Sequence, residues 1–271
     1  MTANSYFEAA DKVLATVRAT QTEDIQRAAA SIAEALANKK VWHFLDQGHT
    51  GEEFVGRTGG MIALNPIKIN LDVHHQGQLP AFRTGQSSAF DYVAYRKGDV
   101  PIDFILDKCQ IVPGDIMLIH SVSGSRGMPI SLAIGAKARG ATVIAITSLN
   151  YSRSLEPVHP SGKRLYAVAD LVIDDCGPVG ATLLKLDGMP EEICASSGLS
   201  FVYIMWALEA EICAILTQRG ITPHVYRNAN LPGAQQVNES IVKAYLEDAV
   251  KREERTGKRC GLCKRTWCMC S

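Results

Sequence analysis

Two kinds of hydrophobic pattern alternate along the chain. Apolar residues recurring at three and four positions predict a helix over residues 3–18 and a second, Ala-rich helix over 22–38 with Thr22 as its N-cap. The run "VWHFL" then reads as a strand, followed by a Gly-bounded turn and a short helix that stops at Gly59–Gly60. The next apolar piece, "PIKINLDV", predicts a second strand. Residues 74–97 are polar and rich in Gly, Gln and Ser, a long loop of the kind that carries function in compact domains.

From residue 101 the alternation becomes regular. A helix over 101–109 and the turn "VPGD" lead to "IMLIH", a continuous apolar run of the kind buried on both faces. The turn "SVSGSR" opens the helical "MPISLAIGAKARG", which Gly140 stops, and "ATVIAIT" follows. After the loop "SLNYSRSLEPVHPSGKRL" come a helical turn, the strand "ADLVIDD", a long apolar helix near 195–218 and a charged helix near 236–254. Strands separated by helices are the signature of crossover units, hence an α/β fold with a parallel sheet covered on both faces. In such a sheet the loops after "VWHFL", "IMLIH", "VIAIT" and "LVIDD" all open on the carboxyl edge, where ligands bind.

Composition narrows the partners. Of 271 residues 46% are apolar, enough for a sizeable core. The 28 basic and 28 acidic residues cancel, so nothing general attracts nucleic acid or an anionic membrane, and a small molecule or a protein is the expected partner. "GLSFVYIMWALEAEICAILTQ" is long enough to span a bilayer, but Glu209 and Glu211 near its middle point to a buried helix. The N-terminus lacks a basic cap followed by an apolar core, so no signal peptide is read and a cytoplasmic location is expected.

Eight cysteines form two groups. Cys109, Cys176, Cys194 and Cys213 lie in apolar segments and read as small buried thiols. Cys260, Cys263, Cys268 and Cys270 crowd into "CGLCKRTWCMCS" and have the thiolates for a zinc site. The short spacing and the charged "KREERTGKRC" before them favour a disordered tail over 256–271 that holds no metal, appended to one domain over 1–255.

The chemistry gathers in "LIHSVSGSRGMPISLAIGAKARG", where Ser121, Ser123 and Ser125 alternate in a strand-to-helix turn. A helix N-terminus presents unpaired N–H groups and the positive end of the macrodipole, which attract a phosphate without a basic residue. Gly124 and Gly127 let the backbone pass close to such a ligand, and the hydroxyls add donors. Serine and glycine are also ordinary turn formers, so the turn alone leaves both readings open.

"HSVSGSRGMPISLAIGAKARGATVIAIT" resembles the central motif of SIS (sugar isomerase) domains: an apolar strand, S-x-S-G-x-x, a helix and a strand ending in Thr. With "GHTGEEFVGRTGGMIALNPI" and "HPSGKRLYAVADLVIDDCGPVGATL", the resemblance extends over about residues 5–250, to stand-alone SIS proteins near the phosphoheptose isomerases. It implies a three-layer, doubly wound, flavodoxin-like five-stranded parallel sheet, a sugar-phosphate ligand, no cofactor, and a homodimer or homotetramer with shared sites. By position Ser121, Ser123, Gly124 and Ser125 would hold the phosphate, and Gly48, His49 and Thr50 would contact the sugar.

Aldose–ketose isomerisation moves a proton between adjacent carbons and needs a base and an acid. "EFVGR" resembles the E-x-x-G-R of the phosphoheptose isomerases, which makes Glu53 the implied base and Glu52 the fallback. His159 and His49, in loops expected at the ligand edge, are the candidate acids. Lys163 could meet a phosphate, though a solvated lysine is its plainer reading, and adjacent His74 and His75 make a poor metal pair. The resemblance departs at one place: no histidine lies between Leu199 and Gln218, where the phosphoheptose isomerases carry their partner histidine. Ser196 and Ser197 stand there instead, to cap the helix and reach the ligand. The activities that remain open are an isomerase, a sugar-phosphate lyase and a non-catalytic sugar-phosphate sensor.

Overall fold

A computed structural model of the chain describes residues 2–47, 50, 53–69 and 102–256, with side chains as far as Asp248. Five strands form one parallel sheet: β1 (Trp42–Asp46), β2 (Leu64–Pro66), β3 (Ile116–His120), β4 (Thr142–Thr147) and β5 (Leu171–Asp174). Their spatial order is β2-β1-β3-β4-β5. From β1 the chain moves outward to β2 and then returns past it to β3. The connections diverge there and leave a crevice at the carboxyl ends of β1 and β3, the topological switch point.

The helices are α1 (Thr2–Thr20), α2 (Thr22–Ala37), α3 (Ile102–Cys109), α4 (Gly127–Ala138), α5 (Leu149–Ser154), α6 (Ser197–Gln218) and α7 (Ala234–Thr256). Period-two alternation along β3 divides the core. Ile116 and Leu118 join Val17, Ile32, Phe201 and Leu208 of α1, α2 and α6. Met117 and Ile119 join Leu106, Ile130 and Leu132 of α3 and α4. All five residues of β3 are buried, and each fully buried aliphatic side chain stabilises the fold by roughly 1.5–3 kcal/mol. This is the three-layer, doubly wound architecture expected.

Several local readings need correction. Thr22 is the first residue of α2, not its cap; Gln21 holds the cap position, and the Thr22 hydroxyl instead donates to the Arg18 carbonyl. The second strand lies earlier than "PIKINLDV", at Leu64–Pro66, because it pairs with Trp42–Phe44 and ends at the proline. Before Gly59–Gly60 the described residues hold tight turns, one closed by the Gly60 N–H on the Arg57 carbonyl. The loop after β4 contains α5, whose cap Ser148 accepts from the Tyr151 N–H at 3.1 Å. A two-stranded antiparallel ribbon, β6 (Thr182–Leu184) with β7 (Ile193–Ala195), joins β5 to α6 and was not anticipated. Cys194, in β7, is exposed, whereas Cys109, Cys176 and Cys213 are half-buried. The segment 74–97 with His74 and His75, and the four tail cysteines, lie outside the described residues.

Helix α6 is long and apolar enough to cross a membrane. One face of it packs into the core through Phe201, Ile204, Met205, Leu208 and Ile212. Glu209 is buried on that face, where its carboxylate accepts the Met61 N–H at 3.0 Å. Burial pushes its pKa up to about 7 from 4.5, with the Met61 bond pulling the other way. The folded form therefore holds a proton that the unfolded chain releases, so stability falls as pH rises from about 4.5 to about 7 and then levels. Glu209→Gln is expected to remove on the order of 3 kcal/mol of that fall, read from urea unfolding at acid and alkaline pH.

Candidate functional site

The serine turn leaves β3 at the switch point. The Ser121 N–H donates to the Ile146 carbonyl at 3.1 Å and the Gly124 N–H to the Ser121 carbonyl at 3.0 Å. Gly124 has φ +54°, and a Cβ there would stand 2.8 Å from Thr147 Oγ1 and 2.9 Å from Ser152 Oγ. Glycine is thus required both for the backbone conformation and for space. Ser121 and Ser125 are buried, and Ser125 Oγ donates to Ser123 Oγ at 3.2 Å. Helix α4 then starts from Arg126 in extended backbone, with no side-chain cap. Pro129, in its first turn, has no N–H to leave unpaired. The turn therefore couples three hydroxyls to an uncapped helix N-terminus, as the sequence implied.

The other predicted residues are placed as follows. Thr50, after β1, has a buried Oγ1 without a partner among the described residues, and its methyl lies 3.4 Å from where a Gly198 side chain would start. Gly198 follows Ser197 in the first turn of α6, so the structure brings Thr50 and Ser197 to one place. Ser196 is the cap residue of α6 and is buried. Glu53 donates its N–H to the Thr50 carbonyl at 2.8 Å and ties its carboxylate to Arg57 at 2.8 Å. Gly48, His49 and Glu52 lie outside the described residues. Lys163 is exposed.

His159 lies against α4. Its Nδ1 accepts the Ser161 N–H at 3.0 Å, so in the neutral ring Nε2 carries the hydrogen and donates to Ser131 Oγ at 2.9 Å. Burial lowers its pKa and favours that neutral form. Ser131 is one turn into α4 from the serine turn, so His159 stands beside the proposed phosphate helix. Among the described residues no three His, Cys, Asp or Glu side chains gather to hold a metal.

Two features of the edge escaped the sequence. Asp46 closes β1 and His120 closes β3, in register, and Asp46 Oδ1 lies 2.8 Å from His120 Nδ1. The His120 ring stacks on Phe201 of α6, with centroids 3.8 Å apart. A histidine thus stands at this edge of the sheet, packed against a helix that carries none of its own. The second feature is a set of buried oxygens without partners among the described residues: Thr50 Oγ1 after β1, Ser152 Oγ after β4 and Asp175 Oδ2 after β5. Buried polar atoms are normally satisfied, so three orphans around one sheet edge mark a place built for a ligand or water. A polar residue closing an otherwise apolar strand was the available signal for Asp46, His120 and Asp175.

An α/β sheet of order 2-1-3-4-5 with a serine-rich helix start at its switch point defines a class. Residues 5–148 match the SIS domain, and the chain belongs to that family. Its relatives along most of its length are UPF0309 proteins. One from Caldanaerobacter subterraneus is 34% identical over 248 residues, covering 89% of this chain and 96% of that protein. Another, from Geobacillus kaustophilus, is 31% identical over 247 residues, covering 90% and 94%. Among solved structures, a phosphoheptose isomerase from Francisella tularensis is 16% identical, with TM-score 0.43, over 80% of this chain and 97% of that one. The Vibrio vulnificus NanR protein complexed with ManNAc-6P is 10% identical, with TM-score 0.44, over 91% and 69%.

Gly124→Ala is expected to destabilise the fold by about 1–3 kcal/mol, because it adds left-handed strain to a clash with Thr147 and Ser152. Thermal unfolding of the variant checks this; an unchanged Tm would mean that the turn accommodates a side chain.

Proposed function

We propose that the chain binds a sugar phosphate at the carboxyl edge of its sheet, with the phosphate on the turn Ser121–Ser125, and isomerises it between aldose and ketose. The observation that carries the binding is the uncapped start of α4 beside three hydroxyls and the glycine that keeps the backbone open. The N–H dipoles and hydroxyls complement a dianion, and the orphan oxygens of Thr50 and Ser152 supply further contacts to the sugar. The site needs no cofactor or metal in this reading.

For the proton transfer Glu53 is the base and His159 or His49 the acid. His159, neutral with its hydrogen on Nε2, would turn that N–H from Ser131 to polarise the carbonyl oxygen as a hydrogen-bond donor. Glu53 follows β1 on the other side of the switch point and must leave Arg57 to accept a carbon-bound proton. That ion pair favours a second reading, a sensor that binds the sugar phosphate without turning it over. The protein acts in the cytoplasm on a small molecule, as a homodimer or homotetramer. The face of α6 turned away from the core, where Tyr203 is exposed, is the surface for the second copy.

Incubation with hexose, pentose and heptose phosphates in heavy water tests the reading. The expected outcome is deuterium at C2 of one sugar, abolished in Glu53→Gln while binding persists. Ser123→Ala should weaken binding by about tenfold or more, the loss of one hydrogen bond to a charged group. Thermal stabilisation by a sugar phosphate without deuterium uptake would establish the sensor, and no response to any sugar phosphate would overturn both. Sedimentation gives the assembly, and a monomer at all concentrations would refute the oligomer.

A further inference from the structure

Asp175 follows the last residue of β5 and is fully buried. Ile173 faces α1, α2 and α6, and alternation carries Asp175 to the same side, beneath the first turn of α6. Gly177 marks the contact: a Cβ there would lie 3.0 Å from Asp175 Oδ1 and 3.1 Å from Ser196 Oγ. Oδ1 accepts the Gly177 N–H at 2.8 Å, and Oδ2 has no partner among the described residues.

Two other buried acids show that this is unusual. Asp115, also fully buried, accepts from the Val41 and Val112 N–H groups at 3.0 Å each and lies 3.3 Å from His43 Nε2, at the opposite edge of the sheet. Glu209 likewise has one unpartnered oxygen, but it lies three turns along α6, roughly 18 Å from the helix start. Asp175 alone among these three stands at the ligand edge. The first turn of α6 above it reaches across to Thr50, another of the orphan oxygens, so both lie under one roof.

A buried carboxylate with one N–H donor and no cation is unfavourable, whereas a neutral carboxyl there has an O–H in need of an acceptor. We propose that Asp175 is a ligand-binding residue of this site, a neutral carboxyl that donates its hydrogen from Oδ2 to an uncharged oxygen of the bound sugar. The inference rests on the sugar-phosphate reading and adds a contact to it. The serine turn follows β3, two strands away, so a phosphate held there leaves the sugar, not the phosphate, about 10 Å off near Asp175.

The surroundings support the neutral form. Burial pushes the Asp175 pKa up to about 7, opposed by the Gly177 N–H and reinforced by the charge of Asp174. Around it are Asp174 and Cys176 on its own segment, the Thr147 carbonyl of β4, which accepts the Asp175 N–H at 3.1 Å, and Ser196 of α6. Asp174 is the charged one, and the Cys176 thiol, raised by burial to about 11, stays neutral. As pH rises past about 7, the donor is lost and a negative charge takes its place.

Affinity against pH is the test, measured by calorimetry on the full chain with a hexose, a pentose and a heptose phosphate from about pH 6 to about pH 9. Asp175→Asn keeps both bonds at every pH, since its carbonyl accepts from Gly177 and its amide donates where Oδ2 stood. The native protein is expected to lose affinity about tenfold per pH unit above about 7, while Asp175→Asn stays level and matches it near pH 6. Asp175→Ala, which removes the donor, is expected to bind more weakly than native near pH 6. Titration of the phosphate itself is common to all three proteins and cancels. Parallel profiles for native and Asp175→Asn, or native-like binding by Asp175→Ala, would overturn the role of Asp175 while leaving sugar-phosphate binding intact. Failure of the native protein to bind any of the three at any pH would instead remove the sugar-phosphate reading and this inference with it.

Discussion

The carboxyl edge depends on strand β3 being enclosed from every side. With helices on both faces and β1 and β4 along both edges, its backbone groups can be satisfied only by the sheet ladder, which fixes register. That register sets Asp46 opposite His120 and brings Ser121 to the Ile146 carbonyl. A slip of one residue would turn Ile116 and Leu118 to the wrong helices. Packing in the core and polar chemistry at the edge are therefore one constraint.

Two helix starts converge on that edge, and neither has a side-chain cap. Helix α4 approaches with serine hydroxyls and an open backbone, suited to a charged group. Helix α6 approaches over a buried polar layer of His120, Asp175, Ser196 and Ser200, suited to uncharged oxygens. A ligand with one charged and one uncharged end would match the two starts. A sugar phosphate has this same division of charge.

The fold was legible because its central strands are apolar runs of four to six residues, which helices on both faces demand. The short elements were not. Three-residue β6 and β7 carry half-exposed or exposed positions and no apolar period, and β2 ends in a proline that blurs its boundary. The serine turn could be read because its motif is contiguous. Asp46, His120 and Asp175 carried only the signal of a polar residue at the end of an apolar run, and a carboxylate at the end of "LVIDD" says nothing of the helix that later buries it. That His120 meets Asp46 and packs against the long helix became visible only when the register of β1 and β3 and the Phe201 ring were known.

The connection from β5 to α6 holds three non-glycine residues with left-handed backbone: Cys176, Ala181 and Cys194. Such conformers persist only where surrounding contacts hold them. The last of the three carries an exposed thiol two residues before Ser196, while the first adjoins Asp175. A spectroscopic label on Cys194 would sit outside the crevice yet be joined to it through a taut piece of main chain.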